Sequence, residues 1–185
     1  MTIGVGGSSA AIELRKLENM TSAVKPIDEL EFQQRIIKAQ SKMAEHKIDA
    51  VYLNAGTNLY YFTGTSWYAS ERMVGAIITR NGDVEYIAPY FEINTLDQFC
   101  FIEGKINGWQ EHESPYELFG KVLERLDISS GKIAIDESTA FFIANGIKEQ
   151  TNNPTMKKLI LSIIALVILS PSIAQDKKDK KDKKV

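Results

Sequence analysis

The chain has one cysteine, two histidines and almost no net charge, and each scarcity closes off a class of function. A lone Cys100 has no internal partner, which excludes a disulfide framework. It lies in the apolar run Phe99-Cys100-Phe101-Ile102, where a small buried thiol is the expected reading. A catalytic cysteine would need a base and an electropositive setting, and His112 is the only nearby base. His46 and His112 stand far apart, and neither sits in a metal-ligating motif. No phosphate-binding loop appears either, because Gly4-Val5-Gly6-Gly7 lacks a preceding strand and the required spacing. The formal charge of -2 gives no reason to expect a nucleic-acid partner. No internal repeat is visible. Residues 1–11 are small and polar without an apolar core, so they are not read as a secretion signal.

What is present fits one domain of ordinary size with short appendages: 185 residues, 44% hydrophobic and 25% charged. The near-neutral total hides an asymmetry. From Met156 onward there are eight Lys and three Asp, a balance of +5, which leaves -7 on residues 1–155. A modestly acidic domain is therefore joined to a basic tail.

Residues 1–25, rich in Gly, Ser and Ala, read as a mobile arm or one short helix around residues 10–20. Asp28 and Glu31 have capping-box spacing ahead of a helix ending near His46. A buried strand follows at Ala50-Val51-Tyr52-Leu53, then a turn at residues 56–58 in which Thr57 caps a brief helix. Residues 73–79 and 84–88 read as strands joined at Asn81-Gly82, the pair favoured in a type I′ hairpin turn. Residues 90–99 suit a helix and 104–110 a strand. Ser114-Pro115-Tyr116-Glu117 combines a capping hydroxyl, Pro at the first helical position and Glu at the third. That helix runs to about Leu126, a strand follows at residues 132–136, and Ser138 is positioned to cap a last helix through Ile147. Alternating helices and strands with one hairpin predict a layered α/β domain, its mixed β-sheet flanked by helices.

The tail has a different grammar. A basic start, Met156-Lys157-Lys158, precedes an apolar run from Leu159 to Leu169, then Pro171 and the small-residue stretch Ser172-Ile173-Ala174-Gln175. This is the layout of a secretory signal peptide, in an unusual position. Counted generously over residues 159–174 it reaches about 24 Å as a helix, against a membrane core of about 30 Å. Three readings stay open: the start of an unrelated secreted protein fused by frameshift or rearrangement, a short membrane anchor with a basic cap, or a helix of the folded domain. The expected fold includes a C-terminal hydrophobic helix, with residues 156–175 a signal-peptide-like or short membrane-helix segment after a linker at 151–155. The Lys/Asp run 176–185 is expected to be disordered.

Two acidic clusters invite a chemical reading. Glu111-His112-Glu113 cannot converge on a metal if it lies along a strand, where neighbours face opposite sides, so a solvated strand end is expected. Asp136-Glu137 precedes Ser138 and is assigned to the helix cap.

Six stretches, in order and at natural separations, resemble proline-specific dipeptidases and aminopeptidases of the creatinase and aminopeptidase P type. They are Ile48-Asp49-Ala50-Val51-Tyr52-Leu53-Asn54, Asn58-Leu59-Tyr60-Tyr61-Phe62-Thr63-Gly64, Ser70-Glu71-Arg72, Glu85-Tyr86-Ile87-Ala88-Pro89, Gln110-Glu111-His112-Glu113-Ser114-Pro115-Tyr116 and Ala134-Ile135-Asp136-Glu137-Ser138-Thr139. The resemblance covers residues 26–150 and none is visible from Pro154 onward. It implies the N-terminal domain of an Xaa-Pro peptidase without the pita-bread catalytic domain. In the family that second domain carries two divalent metals, often manganese, so no cofactor and no catalytic residue is expected in this chain. The resemblance also implies that the domain supports dimerisation. It further implies that a loop, here residues 63–72, reaches toward the partner subunit's active site. Trp67, Tyr68 and Arg72 would then line the substrate, with Glu71 beside them. The expected function is that of a truncated or chimeric domain, inactive alone. The alternative is an interaction module that pairs with a full-length peptidase, in the cytoplasm or tethered to a membrane through the run from Leu159 to Leu169.

Overall fold

The computed structural model describes residues 10–17, 21, 23–82, 84–128, 131–151 and 160–162. A short helix, α1 (Ala10–Arg15), precedes α2 (Glu29–His46). The start of α2 is set by the Asp28 side chain, which accepts the Glu31 N–H at 3.0 Å. Its end is set by Lys47, whose left-handed backbone (φ 56°) lets its N–H return to Ala44. Phe32, Ile36 and Met43 form the buried stripe of this helix.

Strand β1 (Ala50–Asn54) leads into α3 (Thr57–Thr63), then β2 (Gly75–Thr79) and β3 (Val84–Pro89). A 3₁₀ turn (Tyr90–Glu92) runs into α4 (Ile93–Phe99), followed by β4 (Lys105–Trp109), α5 (Pro115–Arg125), β5 (Ile133–Ile135), α6 (Phe141–Thr151) and β6 (Ile160–Ser162). The sheet order is β4-β3-β2-β1-β5-β6. β2 is antiparallel to both its neighbours, whereas the β3/β4, β1/β5 and β5/β6 pairs are parallel. The expected mixed sheet flanked by helices is the one observed.

The strands read as continuous apolar runs because both faces are covered. Alternation along β1 divides the core: Val51 and Leu53 pack with Phe32, Met43, Leu59 and Leu96 under α2, α3 and α4. Ala50 and Tyr52 pack with Phe119, Val122, Leu123, Ile143 and Ile147 under α5 and α6. Ile77 and Ile78, adjacent and both buried, serve opposite layers, each contributing about 1.5–3 kcal/mol of burial.

Several local expectations are corrected. Gly56 (φ 133°), not Thr57, stands at the α3 cap, with no side-chain capping bond. Met73 and Val74 precede β2 rather than opening it. In the hairpin Ile78 faces Val84 and Ile77 faces Glu85, which centres the turn on Asn81. A two-residue turn centred between Asn81 and Gly82 does not fit this register; the loop has an odd number of residues, with positive φ at Gly82 (124°) and not at Asn81. Ser138 does not cap α6, which starts at Phe141; its hydroxyl donates instead to Asp136 Oδ2 at 3.0 Å. Glu111, His112 and Glu113 lie past the end of β4 in a turn, because Gln110 accepts the Glu113 N–H at 2.8 Å.

The largest correction concerns the tail. Over Ile160–Ser162 the expected hydrophobic helix is a strand, laid parallel against β5 with Ala134 opposite Leu161. The outer edge of β5 offers a row of N–H and C=O groups that a strand satisfies and a helix cannot. The remaining expectations for residues 152–159 and 163–185 lie outside the described residues, as does the opening stretch 1–9. Among the described residues no helix is long and apolar enough to cross a membrane.

Candidate functional site

The register gathers five loops at one end of the sheet. Asn54 faces Gly75, Gly75 faces Ile87, Pro89 faces Trp109, and Ile135 faces Tyr52. The carboxyl ends of β1, β3, β4 and β5 therefore share a rim with the amino end of β2. In open α/β sheets this rim is where ligands are usually met.

The 64–74 loop crosses that rim. It leaves α3 at Gly64, whose positive φ (69°) turns the chain, and where a Cβ would stand 2.7 Å from Phe101 Cβ. Trp67 then packs on the α2/α3/α4 layer, its ring 6.2 Å from that of Phe99 at 71°. Met73, at the far end of the loop, belongs to the opposite layer and accepts the Trp109 indole N–H at 3.2 Å. Between these anchors Tyr68 is 91% exposed. Arg72 is held from several sides. Its Nη1 donates to Glu71 Oε1 at 2.8 Å and its Nη2 to Glu111 Oε1 at 3.3 Å. Its guanidinium lies 5.4 Å from the centroid of the Phe91 ring. The structure thus brings Arg72 together with Glu71 and with two residues from the β3 and β4 ends. Trp67 acts as an anchor at the other side of the loop.

At the β5 end of the rim lies a second polar cluster. Asp136 is buried, and its Oδ1 accepts from Asn58 Nδ2 at 2.7 Å and from the Ser138 N–H at 2.9 Å. Its Oδ2 accepts the Ser138 hydroxyl, and its carbonyl accepts the Thr139 N–H. The carboxylate closes a turn and ties α3 to the β5 end. Sequence reasoning missed Asn58 because it lies 78 residues from its partner.

The acidic residues of the rim are engaged by internal donors. Asp136 spends both oxygens on internal donors, and Glu111 leans on Arg72. Among the described residues no group of three or more His, Cys, Asp or Glu converges on a common point. Cys100 is half-buried, and burial pushes its thiol above the ordinary range. Beside it Tyr86, buried and pushed up to about 12 by desolvation, donates to the Ile102 carbonyl at 2.7 Å.

The geometry defines a three-layer α/β domain whose polar and aromatic residues are presented on the rim of its strands. The chain belongs to the Creatinase/Prolidase N-terminal domain family, whose profile matches residues 35–161. That match passes the boundary expected at 150 and takes in Ile160 and Leu161 of β6. An uncharacterized peptidase of Staphylococcus haemolyticus is 30% identical over 101 residues, covering 55% of this chain and 28% of that protein. The structure of a dipeptidase from Pyrococcus horikoshii superposes with a TM-score of 0.58 at 27% identity, covering 70% of this chain and 34% of that one. The fold is shared, at 13% identity and a TM-score of 0.58, by the Creatinase/Prolidase N-terminal domain of an X-Pro dipeptidase from Streptococcus pyogenes, covering 71% of this chain and 94% of that one. The chain spans about 28% of the length of the curated relatives it matches.

Proposed function

We propose that this chain acts as the non-catalytic N-terminal domain of an Xaa-Pro peptidase, inactive without a catalytic domain. In this reading it dimerises, with a second copy or with a full-length relative in the cytoplasm, and lends its 63–72 loop to the partner subunit's substrate site. The observation that carries the reading is its membership of the N-terminal domain family together with the exposed Tyr68 and Arg72 on the rim.

The chemistry suits that role. Glu71 and Glu111 are 74% and 68% exposed, and ion pairs of this kind are worth about 0–1 kcal/mol. Arg72 can therefore exchange them for a substrate carboxylate held by two parallel hydrogen bonds, a stronger arrangement. Tyr68 offers a ring to a proline side chain. Trp67 fixes the base of the loop. In the family's catalytic domain two divalent metals supply the activated water; in this chain the residues bind and orient only.

The alternative, an interaction module that modulates a full-length peptidase, draws support from the exposed aromatics beside the rim. Phe91 is 57% exposed, Phe141 84% and Phe142 50%. One set of measurements tests both readings. The purified chain with manganese and Ala-Pro is expected to release no proline above buffer. Mixed with a full-length relative, such as the S. haemolyticus peptidase, it is expected to co-elute. Arg72→Ala in the mixed dimer should raise KM while leaving kcat nearly unchanged. Hydrolysis by the chain alone sinks the first reading, and the absence of any mixed or self-associated species at micromolar concentration sinks both.

A further inference from the structure

Strand β6 comes from the same apolar run that reads as a signal peptide or anchor in the sequence. Ile160, Leu161 and Ser162 face Ile133, Ala134 and Ile135 in parallel register. The family profile independently ends at residue 161, inside this strand. β5 is buried on both faces, with Ile133 and Ala134 fully inaccessible and Ile135 at 5%. Its outer edge would otherwise carry unpaired backbone groups.

We propose that the outer edge of β5 is a docking site for the chain's own apolar run, and that a run docked there is withheld from a membrane. The argument is one of length. The run from Leu159 to Leu169 is already short for a span, and docking removes Ile160–Ser162 from it. Residues 163–169 that follow are seven, about 10 Å as a helix against a hydrocarbon core of about 30 Å. Sheet closure and membrane insertion therefore draw on the same three residues and exclude one another. The folded domain then extends to Ser162 rather than ending near residue 150.

The test uses the full chain carrying Cys100→Ser, Ala134→Cys and Leu161→Cys. Directly paired residues of adjacent strands lie within the Cα separation that a disulfide tolerates. Mild oxidation is expected to yield a cross-linked monomer, and neither single-cysteine parent should do so. On flotation with vesicles of phosphatidylcholine and phosphatidylglycerol in equal parts, the locked form should stay in solution while the reduced form floats at least about tenfold more, the open run gaining burial in lipid. No intrachain cross-link overturns the docking, and equal flotation of the two forms overturns the competition. Hydrogen exchange on the unmodified chain is the second readout. Peptides covering residues 160–162 should exchange at least about tenfold more slowly than those covering 176–184, and equal rates overturn the proposal.

Discussion

The guanidinium of Arg125 forks onto the carboxylate of Glu85, tying α5 to β3 through a buried carboxylate. Nη1 meets Oε1 at 2.8 Å and Nη2 meets Oε2. Asn107 on β4 completes the group, donating to Oε2 at 2.9 Å and accepting from Arg125 Nη2 at 3.2 Å. Burial alone would raise the pKa of Glu85. The hydrogen bonds from Arg125 and Asn107 outweigh it and hold the carboxyl below its ordinary value. A depressed folded pKa means that the unfolded chain binds the proton more readily. The contribution is therefore present above the unfolded carboxylate pKa of about 4.3 and is lost as pH falls through the lower folded value. Arg125→Ala leaves a buried carboxylate with the Asn107 hydrogen bond and the more distant Lys105 charge and should cost about 2–4 kcal/mol at pH 7. Urea unfolding checks both points: the variant should lose stability at pH 7, and its deficit should shrink between pH 5 and pH 3. A constant deficit across that range would rule out the charge as its cause.

Gly64 closes α3 and aims the rim loop. A side chain there meets an unfavourable φ and a Cβ contact of 2.7 Å with Phe101 and 3.0 Å with Phe32. Gly64→Ala should cost about 1–3 kcal/mol, since the strain of a non-glycine residue at positive φ adds to a clash with two aromatic rings. The midpoint of thermal unfolding is expected to fall by about 3–10 °C. Gly82 has equally unusual φ but open space around it. Gly82→Ala should therefore cost less, and the ordering of the two midpoints is the check.

How much of this was legible in the sequence follows from the range of each interaction. Asp28 with Glu31, and Ser114 with Pro115 and Glu117, are local arrangements, and both helix starts stand where those residues put them. Thr57 and Ser138 carry the same hydroxyl signal without capping anything. Gly56 takes the α3 position, and Asp136 captures the Ser138 hydroxyl first. Arg72–Glu111, Asn58–Asp136 and Glu85–Arg125 join residues 39, 78 and 40 apart, which no local pattern encodes. The rim loop was legible only through resemblance. The apolar tail gave no period, so nothing in it separated a strand from a helix, and pairing with β5 decides the matter over Ile160–Ser162.

Cys100 tests whether the interior thiol is chemically silent. Desolvation, the largest influence, pushes its pKa up, and the nearby hydroxyls of Thr65 and Tyr86 only partly oppose this. The reactive thiolate is therefore scarcer than in a free cysteine at neutral pH. Its reaction with a disulfide reagent at pH 7.5 should be slower than that of glutathione by at least about tenfold. Urea sufficient to unfold the chain should abolish the difference. Fast labelling of the native chain would show that this half-buried sulfur is open to reagents, and the structural assignment would fail.

Phe141 and Phe142, at the start of α6, test whether the aromatic surface beside the rim carries the association. Phe141 is 84% exposed and Phe142 50%, beside a groove of about 440 Å³ that they line with Tyr116 and Gly146. Exposed apolar area on this scale favours self-association when no partner covers it. Neither residue belongs to the buried clusters, so Phe141→Ser with Phe142→Ser should leave the fold intact. Sedimentation equilibrium should show at least a tenfold weaker dimer, about 1.4 kcal/mol at 25 °C. Arg72→Ala, by contrast, should not move that constant, since its exposed ion pairs, to Glu71 and Glu111, are made within its own subunit. If the double serine variant self-associates as strongly as the parent, the contact surface lies elsewhere. Loss of association in Arg72→Ala instead would make the 64–74 loop the interface.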